Sequence, residues 1–224
     1  MTAATPTATV AGIDVGALSV PGLTLKVRED ETPEDRGVVL SFADAAGDVR
    51  VVVRFAVTPA ANDARSFLKR ELHAVARVLP EVSDPALGDL AYADDGVGEV
   101  YVAGTIANVA YVVRTIPNPN APGAVPTAKS VAVDLHAKVV AGSPTLPTPG
   151  VSIPSEISAK DGAPIAVAPF AGQTPRLRAE NAYVAHGSTG PVLKPFGPGK
   201  VAVIAVVADD LGRVGVARAE ATAK

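Results

Sequence analysis

From Thr58 to Pro80 the apolar residues stop alternating and recur at three- and four-residue steps. Ala61, Ala64, Leu68, Leu72, Val75 and Leu79 fall on one stripe, with Arg65, Lys69, Arg70 and Arg77 off it, so the spacing predicts an amphipathic helix over 59–79. Thr58 suits the cap, Pro59 the first turn, where its missing N–H is harmless, and Pro80 the stop. His73 lies beside the stripe with no His or carboxylate three or four residues away, so it reads as a boundary or surface residue. The pattern returns after Pro126-Thr127: Ala128, Val131, Ala132, Leu135 and Val139 form a second stripe before Gly142, predicting a helix over 126–141 with His136 on its flank. Local propensity alone would make Val131–Val140 a strand; the spacing and the Pro/Gly bracket overrule it.

Around these helices the chain alternates like β-structure. It is 48% hydrophobic but only 4% aromatic, so its 224 residues build a core largely of Ala and Val, and 20 Pro with 20 Gly interrupt it often. Val15–Val20 and Leu23–Arg28 read as short strands split by Pro21-Gly22. Gly37–Phe42 and Val49–Val57 read as a hairpin closed at Asp44–Asp48, with Gly47 able to take positive φ. In its second strand Val51, Val53 and Phe55 share one face, and Arg50, Val52 and Arg54 the other. Leu87–Arg114 reads as two more strands with a short Gly-containing turn between them.

The expected architecture is a flexible leader over 1–12, an α+β domain over 13–142 (an antiparallel sheet with two helices), and a Pro-rich linker over 143–154. An all-β immunoglobulin-like sandwich over 155–224 follows. Its strands are read at Ser155–Ala159, Pro164–Ala168, Arg176–Tyr183, Pro191–Pro195, Lys200–Val207 and Arg213–Ala221, between Gly, Pro and Asp turns.

The chemistry is sparse. No cysteine is present, which excludes disulfides, thiolate metal sites and Cys nucleophiles. The net charge of −3 and the lack of a Lys/Arg run interleaved with aromatics argue against nucleic acid. No apolar run is long enough to span a membrane. Phosphate-loop, dinucleotide, nucleophile-elbow and zinc-helix motifs are missing, so no cofactor, metal or catalytic residue is expected. The acidic run Glu29–Arg36 lacks the alternating oxygen ligands of a cation loop and reads as solvated.

His186-Gly187-Ser188-Thr189-Gly190 invites a hydrolase reading through His186 and Ser188. Two residues apart, and with no third residue to orient the His, they read instead as a hairpin turn. Asp94-Asp95-Gly96 and Asp209-Asp210 read as turns. Arg176, Arg178, Arg213 and Arg218 suit an acidic partner or the guarding of strand edges. Tyr92, Tyr101 and Tyr111 are the clustered aromatics and the candidate ligand-binding residues.

Leu87, Gly88, Asp89, Ala91 and Tyr92, then Val100–Val102, then Asn108–Val113, lie between the two helices in a pattern that resembles small extracytoplasmic domains. These occur in actinobacterial lipoproteins and in the sensor ectodomains of mycobacterial Ser/Thr kinases. The resemblance covers 13–142 and implies a non-enzymatic α+β domain presenting a sheet face or cleft to a ligand. The chain departs from it in having no lipobox cysteine, no transmembrane segment and no bracing cysteines. Residues 150–224 resemble bacterial immunoglobulin-like modules, on the strength of the hairpin around Asp209-Asp210, which implies adhesion, spacing or assembly.

Together these readings lead to a non-enzymatic extracytoplasmic binding, surface or assembly protein of a bacterium, with a protein partner or self-assembly favoured over a small molecule. The alternative is a structural subunit of a particle or filament, such as a virion or tail component. The start MTAATPTATVAG has no signal-peptide pattern. It suits a periplasmic or cell-surface mature form, or a cytoplasmic or particle-associated chain.

Overall fold

The computed structural model describes residues 9–30, 36–75, 77–94, 100–117, 126–170 and 173–224. It is mostly β, with two α-helices and one large antiparallel sheet among the described residues. The chain divides into two compact units: one runs to Thr145 and takes in Asp209–Arg213, and the other comprises Leu146–Ala208 and Val214–Lys224.

The first unit contains β1 (Val10–Ile13), β2 (Thr24–Asp30), β3 (Val38–Ala43), β4 (Val49–Val57), α1 (Ala61–Ala74), β5 (Glu81–Val82), a 3-10 turn at Pro85–Leu87, β6 (Leu90–Ala93), β7 (Val100–Ile106), β8 (Val109–Thr115), α2 (Ala128–Ala137) and β9 (Val139–Ala141). Seven strands make one sheet in the order β2-β3-β4-β8-β7-β6-β5, every pair antiparallel. The division of faces read from the sequence holds, with Val51, Val53 and Phe55 fully buried and Val52 and Arg54 half-buried opposite them, but Arg50 on that second face is buried as well, bonded to the Ile116 carbonyl and Asp44.

Helix α1 lies on the Arg54 face over a floor of small side chains. Ala56 and Ala110 are register partners, Ala103 lies on β7, and all three are buried in one cluster with Ala64, Phe67 and Leu68. Alanines let the helix approach the sheet closely. Helix α2 packs against β7, β8 and the 3-10 turn. Its Ala128, Val131, Ala132 and Leu135 are buried, and Thr127 caps it by accepting from the Ser130 N–H at 3.1 Å.

Several expectations need correction. The end of the expected leader, Val10–Gly12, is not loose but belongs to the strand Val10–Ile13, paired with Val139–Ala141, so α2 ends at Ala137 instead of running to 141. Val15–Val20 is no strand: Asp14 Oδ1 accepts from the Ala17 N–H and curls the chain there, although Val15, Leu18 and Val20 are buried. Helix α1 spans Ala61–Ala74 rather than 59–79. The Thr58 hydroxyl donates to the Ala60 and Asn108 carbonyls and so does not cap the helix. Val75 is extended, and Leu79 reaches the core from beyond the helix.

The turn between β7 and β8 is Ala107-Asn108, with Ala107 at φ 52°, whereas Gly104 lies inside a strand. A Cβ at Gly104 would sit 2.6 Å from the Leu90 carbonyl oxygen and 2.8 Å from the Tyr111 hydroxyl, so that site has no room for a side chain.

The second unit contains β10 (Gly150–Ser152), β11 (Glu156–Ile157), β12 (Ala163–Pro164), β13 (Ala166–Ala168), β14 (Arg176–Glu180), β15 (Ala182–Gly187), β16 (Gly190–Pro195), β17 (Gly199–Ala208) and β18 (Val214–Ala223). One sheet has the order β11-β18-β17-β14, with β11 parallel to β18. A second has the order β12-β16-β15, and β10 pairs with β13. Both sheets feed one apolar cluster, with Ile157, Val201, Val203, Ala221 and Ala223 from one and Ala163, Ala182 and Leu193 from the other.

Two expectations change here. The predicted linker contains β10. The predicted strand 176–183 is two strands, broken at Asn181, whose left-handed backbone (φ 54°) suits Asn better than most residues.

Candidate functional site

Strand parity separates the three candidate tyrosines. Tyr92 pairs with Ala103 and Tyr101 with Arg114, which puts both on the α1 face, whereas Tyr111 opposes Gly104 on the other face. Tyr111 is fully buried and its hydroxyl donates to the Leu87 carbonyl at 2.6 Å. Burial, aided by the negative charge of Asp84, pushes its pKa well above the ordinary phenol value. Tyr111 thus anchors the 3-10 turn, and its ring has no exposed face to offer a ligand. Tyr92 and Tyr101 pack at the half-buried margin of the α1 core.

Around that margin the fold assembles cations that are scattered in the sequence. The Arg54 and Arg70 guanidinium carbons lie 5.4 and 5.1 Å from the Phe67 ring centroid, and those of Arg77 and Arg114 lie 5.7 and 6.0 Å from Tyr101. Each distance is within the range where a cation is attracted to an aromatic face. Arg54 also pairs with the buried Glu71, and Arg77 with Asp94. Arg65 and Lys69, on the exposed side of α1, make no ion pair among the described residues. Among the described residues of this face the cations Arg54, Arg65, Lys69, Arg70, Arg77 and Arg114 outnumber the carboxylates Asp63, Glu71, Glu81 and Asp94, although the whole chain carries −3.

Beside this array, at the C-terminal end of α1, opens a cleft of 480 Å³. Leu72, Val75, Leu79 and Tyr92 supply apolar lining, Lys69, His73 and Arg77 supply polar groups, and Val78 stands 93% exposed at it. A volume of this size is in the range of ligand pockets, roughly 300–1,000 Å³. The arrangement offers an apolar socket beside a positive, partly aromatic surface. It brings together no nucleophile, base and orienting group.

The sequence did not reveal the array because Arg54, Arg70, Arg77 and Arg114 come from a strand, a helix, a loop and another strand. Two signals pointed towards it: Arg54 falls on the face opposite Val53 and Phe55, and α1 carries its cations off the apolar stripe.

In the second unit, His186 is the last residue but one of β15 and Ser188 lies in the two-residue turn Ser188-Thr189 closed by Gly187 and Gly190. Both side chains are exposed, and no hydrogen bond joins them. The expected hairpin turn is found there. Arg218 forks onto Glu180 with two 2.7 Å hydrogen bonds and also reaches Glu220 at 2.9 Å. The hydrogen bonds from Arg218 hold the Glu180 carboxyl below its ordinary value. Arg213 binds Asp209 at 2.7 Å in the first unit.

Among the described residues no cluster of His, Asp and Glu is suited to a metal ion, and no helix is long and apolar enough to cross a membrane. Most of the Glu29–Arg36 run, with Asp95-Gly96 and the Asn118–Gly123 loop, lies outside the described residues. No family model matches the chain, and no curated protein or solved structure matches it either.

Proposed function

We propose that this is a non-enzymatic binding protein whose first unit docks an acidic protein segment on the α1 face. The segment's apolar side chain enters the cleft lined by Leu72, Val75, Val78 and Leu79. The observation that carries this reading is the juxtaposition of the Arg–Phe67 and Arg–Tyr101 layers with a cleft lined by both apolar and basic side chains. A buried apolar anchor with charges around it is how protein partners gain affinity and orientation. Nucleic acid fits less well, because Phe67 is only 5% exposed and so offers little ring surface for base stacking, and the net charge is −3.

The second unit acts as a spacer or adhesion module in this proposal. Its strand order supports an immunoglobulin-like reading. β10 pairs with β13, β12 with β16 and β16 with β15, while β18, β17 and β14 form the facing sheet. Treating β12 and β13 as one interrupted strand gives the ABED and GFC order of that fold. Placement outside the cytoplasm of a bacterium belongs to the same proposal and rests on the resemblance of residues 13–142.

Titration of a fluorescent peptide of alternating Glu and Leu, followed by anisotropy at low and high salt, tests the docking face. Binding that weakens with salt and with Lys69→Glu is expected. Equal binding of a Lys/Leu peptide would contradict it.

A structural subunit is the second reading, favoured by one observation. β2 is a seven-residue edge strand with Leu25 and Val27 49% and 38% exposed, which suits edge pairing with another chain. Light scattering after size exclusion decides it: a stable monomer at micromolar concentration would end the assembly reading.

A further inference from the structure

The cleft at the end of α1 holds a group that the docking proposal leaves unused. His73 lines it together with Lys69 and Arg77. The other two histidines of the chain lie elsewhere. His136 sits on α2 with its Nδ1 3.3 Å from the Ala86 carbonyl of the 3-10 turn, and His186 lies on β15 in the second unit. Histidine is the side chain suited to changing charge between pH 5 and 8.

The place of His73 follows from the helix period. Arg65, Lys69 and His73 are four residues apart on α1, so they form one stripe that advances about 6 Å per step. All three are exposed, and His73, like the other two, makes no ion pair among the described residues. The stripe runs into the cleft, where Leu72 and Val75 supply apolar lining. A segment that lays acidic side chains on Arg65 and Lys69 and an apolar one in the cleft therefore meets His73 next.

The carboxylates around the cleft are directed to other partners or lie on other elements. On α1 the charged neighbours are Lys69, Arg70 and Glu71, and Glu71 is buried against Arg54. The segment after the helix brings Arg77, which is joined to Asp94. The sheet brings Tyr92 of β6 and, as its register partner on β5, Glu81.

We infer that docking of an acidic segment in this cleft takes up a proton at His73, so that affinity rises as the pH falls below neutrality. The inference rests on the docking reading and adds its regulation. The sign follows from linkage. A carboxylate beside the imidazole favours its charged form, so the complex holds the proton more tightly than the free chain does, and the proton in turn favours the complex. Exposure limits the gain to about threefold, the strength of a solvent-exposed ion pair.

The test titrates the fluorescent Glu/Leu peptide against the full chain at about pH 7.5 and 5.5 and one ionic strength, a range in which glutamates of ordinary acidity stay largely ionised. His73→Gln and His136→Gln are run beside it. Affinity for the parent chain is expected to be about threefold higher at the lower pH. His136→Gln should keep that ratio, and His73→Gln should bring it to about one, whatever its affinity at the higher pH. Calorimetry in buffers of different ionisation enthalpy should show net proton uptake on binding by the parent chain and none by His73→Gln. Equal affinity at both pH values, or a ratio that persists in His73→Gln, overturns the inference and leaves the docking reading in place. Absence of peptide binding at either pH overturns both.

Discussion

Asn108 holds Val10 by both of its backbone polar groups: Oδ1 accepts from the Val10 N–H at 2.6 Å and Nδ2 donates to the Val10 carbonyl at 3.2 Å. The same Nδ2 donates to the Thr58 carbonyl at 2.7 Å, and the Asn108 carbonyl accepts from the Thr58 N–H at 2.9 Å. One buried turn residue therefore ties the first strand to the entrance of α1, acting as a peptide unit would. Replacing it by Ala leaves the half-buried Val10 N–H and the Val10 and Thr58 carbonyls without their Asn108 partner. The expected loss for Asn108→Ala is about 3 kcal/mol, since each unsatisfied buried group costs roughly 1–3 kcal/mol. Urea denaturation measures it, and amide exchange should quicken at Val10 and its β9 partners first.

Tyr111 and Gly104 form a second matched pair. Tyr111→Phe removes the hydroxyl that satisfies the Leu87 carbonyl and should destabilise the fold by about 1–2 kcal/mol. Gly104→Ala places a methyl against the Leu90 carbonyl and the Tyr111 hydroxyl, an overpacking of about 2–3 kcal/mol. Because the Leu90 contact persists, adding Tyr111→Phe should rescue only part of the Gly104→Ala loss. Full rescue in denaturation experiments would contradict this packing.

Acid should weaken the second unit through Glu180. Its carboxyl lies below the ordinary 4.5, chiefly through the hydrogen bonds from Arg218. A depressed carboxyl stabilises the fold above its unfolded pKa, and that stabilisation is lost as pH falls through the folded pKa. In the first unit Asp84 behaves alike below 3.8, held by Lys129 and then by the Ala86 N–H. Thermal midpoints should fall as pH drops from 4.5, and Glu180→Gln should fall less steeply than the parent chain. Parallel curves would contradict a contribution from the Glu180–Arg218 pair.

The strands and helices of the first unit were legible because Val51, Val53 and Phe55 alternate and because Ala128, Val131, Ala132 and Leu135 follow a helical period. Element ends were less legible, since tertiary partners set them. Thr58 caps nothing because Asn108 engages its hydroxyl, and Val139–Ala141 leaves the helix to pair with Val10–Ile13. Gly104 looked like a turn, yet it is the gap that admits the Tyr111 hydroxyl. The three candidate tyrosines do not form one group, because register, invisible in the sequence, puts Tyr111 on the opposite face from Tyr92 and Tyr101.

Selection of binders from an unbiased random peptide display library tests the docking face most directly, using the full chain and a Lys69→Glu/Arg77→Glu variant. The account predicts enriched sequences that pair Asp or Glu with a large apolar residue. Affinity should fall with salt and drop about tenfold, roughly 1.4 kcal/mol, in the variant. Enrichment of basic sequences, or acidic sequences that bind parent and variant equally, would contradict it.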